Sequence, residues 1–168
     1  MVLKVWRFLT LVLAALALTM ESAHLLELPQ KLQYDPQMYT AVNATLYRYF
    51  AIVGGLYQPG FIVAAAVLAF LVCQHRPSFG WTLAGALCLL LAFGLWLAVG
   101  APVNSEVAEA LRSVPESVPA VWMRLRHRWE YGHAAGFVVQ FSGFCALVLS
   151  VLVETPKDAP QNRAAWPS

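Results

Sequence analysis

From Pro36 to Ser105 the chain contains no aspartate or glutamate, and Arg48 and Arg76 are its only lysine or arginine residues there. About a quarter of the residues of a soluble domain are charged, against 12% of these 168, with 60% in the hydrophobic set. A stretch this long without acids has to place its surface in lipid. The length allows one compact domain.

A hydrocarbon layer of about 30 Å takes roughly 20 helical residues to cross. Four segments qualify, at about 5–26, 49–73, 80–103 and 131–153. The first stops before Pro29, and Trp6, Trp81, Trp129 and Tyr131 mark helix ends as interfacial aromatics do. The sequence therefore predicts an all-α, four-helix transmembrane bundle of up-down topology over residues 1–153, in contact with the lipid bilayer. Residues 154–168 read as a polar, disordered tail. Asp35 as a cap and Pro36 in the first turn predict an extra interfacial helix leading into the second span. Gly54-Gly55 and Gln58-Pro59-Gly60 predict a kink in that span. Residues 74–80 form a short turn, and 104–130 a longer connection holding Pro115, Pro119 and the basic run "RLRHRWE".

Lys4 and Arg7 before an apolar stretch resemble a signal peptide, but cleavage after Ala23 would leave Glu21 where a small residue is wanted, so the segment reads as a retained helix. Lys4, Arg7, Arg76, Lys157 and Arg163 on one side balance Lys31, Arg48, Arg112, Arg124, Arg126 and Arg128 on the other. The leading role of the first helix then favours both termini in the cytoplasm. A net charge of +2 without an arginine-rich patch alternating with aromatics argues against nucleic acid. Cys73, Cys88 and Cys145 lie in apolar runs outside any CxxC pair, which argues against a thiol–disulfide carrier and for packing.

The polar residues gather at one membrane face. Glu21, His24 and Glu27 end the first span, Arg48 begins the second, Asn104 ends the third, and Trp129, Glu130 and His133 open the fourth. Glu21-x-x-His24 and Glu130-x-x-His133 are i, i+3 pairs, so each Glu shares a helix face with its His. Charged groups in spanning helices turn to the bundle interior and find partners, so the two pairs face each other if the first and last helices are adjacent.

Several chemistries suit such a cluster. His24 and His133, with Glu21 and Glu130, are candidates for acid–base catalysis on an apolar substrate entering from the lipid. The same four are candidate ligands of a single metal, or the two histidines of a haem. A ferritin-like di-iron set needs acids on the middle helices, where only Asn104, Gln58 and Tyr57 stand. Asn104, Glu27, Arg48 and Trp129 are candidate substrate-binding residues. A structural alternative makes the cluster ion pairs that seat helix ends: Glu21 with His24 or Arg48, and Glu130 with Arg124, Arg126 or Arg128. The bundle is then an accessory subunit docking a membrane partner or a second copy. The glycines, Gly132-x-x-x-Gly136 among them, read as helix-packing positions. Asn43-Ala44-Thr45 is a weak match to a glycosylation acceptor.

"AHLLELPQKLQYD", "APVN" and "W…LRHRWEYGH", in that order, resemble a family of small bacterial four-helix membrane proteins, catalogued as domain of unknown function 1772 and similar to the fungal anthrone oxygenases. The resemblance rests on His24, Glu27, Pro29, Lys31, Pro102, Asn104, Trp129, Glu130 and His133. It implies a multi-pass bacterial inner-membrane protein and, for the anthrone oxygenase branch, oxidation of a polycyclic anthrone to a quinone without a conventional metal or flavin. An arginine expected soon after the last histidine is replaced by Ala134-Ala135-Gly136.

Overall fold

A computed structural model describes residues 1–154, except for the side chain of Arg48; the remainder of the tail lies outside the described residues. Those residues are helical almost throughout, without a strand. Helix α1 spans Val2–Lys31, α2 Pro36–Thr45, α3 Arg48–Leu71, α4 Arg76–Leu95, α5 Ala101–Ser113 and α6 Val118–Leu152. A single π turn, Trp96–Gly100, splices α4 to α5 so that one rod runs from Arg76 to Ser113. Four helical rods are long and apolar enough to cross a membrane. They pack in the cyclic order α1, α3, α4, α6, with α6 closing against α1. This is the predicted four-helix bundle, and the protein is an integral membrane protein.

The interfacial helix α2 forms as the sequence requires. The Asp35 carboxylate accepts the Met38 N–H at 2.8 Å, and Pro36 needs no donor in the first turn. Two expectations change. Helix α1 does not stop before Pro29 but continues to Lys31. A proline in the last turn forfeits one backbone hydrogen bond, a small loss at a helix end whose carbonyls are partly unpaired anyway. The 104–130 connection is almost wholly helical. Pro115 opens a short 3₁₀ turn and Pro119 sits in the first turn of α6, so both prolines punctuate a turn between two helices.

These extensions give the molecule two cores. Helix α6 buries Val118, Trp122, Leu125, Trp129, His133, Gly136, Gln140, Gly143, Leu147 and Ser150, a continuous run of three- and four-residue steps. That seam is aromatic and aliphatic at its start, then small and polar. The first part packs with Tyr39 of α2 and with Val103 and Ala110, forming a cap at one end of the bundle. Deeper in the bundle the second core contains Ala14, Ala17, Phe61, Ala65, Leu89 and Leu147. There α4 and α6 approach closely: a Cβ on Gly85 would lie 3.0 Å from the Gly143 carbonyl oxygen, and one on Gly143 3.1 Å from that of Gly85. Without a hydrophobic drive between helices in lipid, such backbone proximity supplies packing energy. The packing reading of the glycines holds at these positions and at Gly132, which meets Val99. It does not hold at Gly55, Gly60, Gly80 and Gly94, where a Cβ would meet nothing within 4 Å.

A candidate ligand site between the two cores

On α1, His24 and Lys31 are seven residues apart and share a face with Glu21, and all three are buried. On α6 the seam presents Trp129 and His133, with Glu130 beside them, also buried. Since α1 and α6 are neighbours, the two Glu-x-x-His pairs do meet, Glu21 of the first with His133 of the second. His133 Nδ1 lies 2.9 Å from Glu21 Oε2. With a carboxylate accepting from Nδ1–H, the lone pair of neutral His133 resides on Nε2. That Nε2 is buried without a partner among the described residues.

Glu130 takes a different partner from the arginines nearby in sequence. Its Oε1 is 2.6 Å from Lys31 Nζ, in an ion pair lacking the alignment of a regular hydrogen bond, and it accepts the Tyr39 hydroxyl at 2.6 Å. Both charged side chains are at most 1% exposed. Burial and the Glu130 carboxylate raise the Tyr39 phenol above its usual pKa, so it stays a donor at neutral pH. The basic run staples the cap: Arg124 pairs with Glu106, Arg126 donates to the Tyr34 carbonyl and Arg128 to that of Ala98 in the π turn.

Around the dyad the rings form a stack. The imidazoles of His24 and His133 lie 4.0 Å apart and nearly parallel, with Tyr47 on the outer face of His24 at 4.5 Å. Trp129 stands edge-on to His133 at 4.4 Å. The stack forms one wall of a cavity of about 630 Å³ between the cap and the membrane core. Phe50 extends that wall from α3, edge-on to His24, and Ala51, Gly54 and Gly55 of α3 with Phe93 and Trp96 complete the lining. At Gly55 the space is left unfilled, since a Cβ there would meet nothing within 4 Å. A glycine read as a packing position thus borders a void at Gly55, whereas a Cβ on Gly54 would meet the Met20 side chain at 3.6 Å. Polar atoms on six wall residues are buried and have no partner among the described residues: His24 Nδ1, Asn43 Oδ1, Tyr47 Oη, Gln58 Oε1, Trp129 Nε1 and His133 Nε2.

Among the predicted site residues, Glu21, His24, Asn104, Trp129 and His133 line this cavity. Glu130 stands behind it, bound to Lys31 and Tyr39. Glu27 is half-buried but not in the wall, because six residues place it about 120° around the helix from Glu21. The Arg48 side chain lies outside the described residues. The four suggested metal ligands do not converge, and among the described residues no three His, Cys, Asp or Glu side chains are placed to share an ion. Face-to-face imidazoles 4.0 Å apart leave no room for a haem between them. These residues fit neither group. Asn43 donates to the Tyr39 carbonyl at 2.8 Å and faces the cavity, a poor position for a glycan.

Sequence reasoning missed Tyr47, Phe50, Trp96 and Tyr39, and gave Lys31 no role. The seven-residue step from His24 to Lys31 was a usable signal for the lysine once the helix is known to pass Pro29. Nothing local marks Tyr47, which sits at the break between α2 and α3. No protein-family model matches the chain, and no curated protein and no solved structure matches it.

Proposed function

We propose that this membrane protein binds a lipophilic, oxygen-bearing small molecule in the cavity and uses His133, oriented by Glu21, as its acid–base group. One observation carries the reading: among the described residues, six that line one aromatic cavity of about 630 Å³ carry a buried polar atom without a protein partner. Each such atom costs about 1–3 kcal/mol if nothing pairs with it, so their concentration at one void points to a guest that supplies partners. The volume falls within the roughly 300–1,000 Å³ of small-molecule sites. Glu21 fixes the tautomer of His133 and balances the imidazolium that forms when Nε2 takes a proton. Asn104 adds a further polar side chain to the wall.

A second reading follows from the same base. In the oxidation implied by the resemblance to anthrone oxygenases, His133 Nε2 removes a proton from the acidic methylene of an anthrone. Dioxygen then oxidises the carbanion, the methylene becoming a carbonyl with release of water. The missing arginine weighs against a charge-assisted version of that step. A third reading, an accessory subunit, makes the same histidines a seam between helices.

The test is binding of 1-naphthol to the protein in lipid nanodiscs, followed through quenching of the wall tryptophans. Saturation at one site per chain supports the ligand reading; its absence leaves the structural one. The melting temperatures of His24→Ala and His133→Ala complete it. A ligand or catalytic site predicts folded variants that lose function, whereas a structural seam predicts lowered melting that an apolar pair rescues.

A further inference from the structure

The ligand site contains a phenol, Tyr47, whose hydroxyl has no hydrogen-bond partner among the described residues. Its ring is held from both sides: the His24 imidazole stacks on one face at 4.5 Å and 21°, and Lys31 Nζ lies 4.3 Å from the ring centroid. Phe50 packs against it at 5.0 Å. Tyr47 is 7% exposed, lines the cavity, and its hydroxyl is buried and unpaired. Tyr39, the other tyrosine beside Lys31, gives its hydroxyl to Glu130. The contrast is informative, because a phenol fixed by a cation and a stacked ring has little freedom to seek another partner.

Resting on the ligand reading above, we infer that Tyr47 is the residue that hydrogen-bonds the oxygen of the guest, and that Lys31 is a positioning residue acting through the face of the Tyr47 ring. An ammonium over an aromatic face is attracted to its π cloud, and the attraction strengthens as the phenol gives up proton density. The Lys31–Glu130–Tyr39 cluster is thereby linked to the cavity. Glu130 holds the ammonium in a place where it touches two tyrosine rings, and α2 and the α2–α3 break supply those rings. The continuation of α1 past Pro29 is what brings Lys31 into reach. The ligand class that fits is an apolar molecule with one hydroxyl or carbonyl group that meets the wall at Tyr47.

Matched probes separate this inference from the reading beneath it. In nanodiscs, 1-naphthol and naphthalene differ by one hydroxyl, and their affinity ratio reports what the site does with it. Wild type prefers 1-naphthol, and Tyr47→Phe, which keeps the ring and its stacking, reduces that preference about three- to tenfold, the worth of one hydrogen bond. Naphthalene affinity stays unchanged. Lys31→Met combined with Glu130→Gln, which removes the buried pair without stranding a charge, also lowers the preference while sparing naphthalene. If neither probe binds wild type, the ligand reading fails. If both bind and Tyr47→Phe leaves the ratio intact, the cavity stands and the role of Tyr47 is overturned. If the double variant loses both probes equally, Lys31 is structural and its positioning role is overturned.

Discussion

Removing one partner of the Lys31–Glu130 pair should be far more damaging than removing both. The two side chains are 1% and 0% exposed, so neither charge has water to fall back on once the other is gone. Lys31→Met leaves the Glu130 carboxylate with the Tyr39 hydroxyl alone, and its Oε2 is already unpaired. Stranding a buried charge in this way costs about 3–5 kcal/mol, while replacing a buried pair by neutral side chains of similar volume is often close to neutral. At about 2–4 °C per kcal/mol for a chain of this size, Lys31→Met should lower the melting temperature by roughly 6–20 °C. Lys31→Met with Glu130→Gln should recover most of that loss. The assay is thermal unfolding in mild detergent, followed by circular dichroism at the helical band and by the monodisperse fraction after heating. A double variant as unstable as the single one would refute the reasoning, because the damage would then come from lost packing of the lysine stem. A single variant as stable as wild type would also refute it, showing that Glu130 carries no charge in the fold.

Three further outcomes follow from the geometry. Gly55→Phe, whose Cβ meets nothing within 4 Å and whose position lies in the cavity wall, should abolish saturable 1-naphthol binding without lowering the melting temperature. Gly143→Ala should cost about 1–3 kcal/mol by forcing a methyl within 2.9 Å of Cys88 Cβ and 3.1 Å of the Gly85 carbonyl, read as a lowered melting temperature. At the opposite end of the bundle from the cavity, partial burial disfavours the Glu154 charge, but hydrogen bonds from Arg7 and Ser78 outweigh it and hold the carboxyl below its usual pKa. A depressed carboxylate stabilises the fold above its unfolded pKa, near 4.5, and the contribution disappears as pH falls through the folded value. The melting-temperature gap between wild type and Glu154→Gln should therefore be full at pH 7 and close progressively below about pH 4.5.

Much of the fold was legible because lipid leaves a chain few options. An acid-free stretch from Pro36 to Ser105 and four apolar runs of sufficient length demand spanning helices, and Asp35-Pro36 announces α2 by capping chemistry alone. Part of the site was legible for the same reason. A Glu and a His three residues apart in a spanning helix turn inward, so the two pairs were expected to face each other if the first and last helices were adjacent; that Glu21 takes His133 rather than His24 or Arg48 came from the packing. Helix ends were harder to read. Proline is an ambiguous stop signal, and Pro29, Pro115 and Pro119 all proved compatible with helices continuing or restarting beside them.

The cavity and the partner of Glu130 were decided by tertiary structure. Local rules favoured the arginines close to Glu130 in sequence, yet three-dimensional packing directed Arg124, Arg126 and Arg128 to the cap and brought Lys31 across from another helix. A void has no sequence of its own: Gly54 and Gly55 read the same whether a neighbour packs on them or space is left, and only the courses of α3, α4 and α6 distinguish the two. The sequence by itself determined that the protein spans a membrane as four helices with a polar end. The tertiary structure alone decided that this end holds a cavity, because its walls are assembled from residues far apart in the chain, which no local periodicity records.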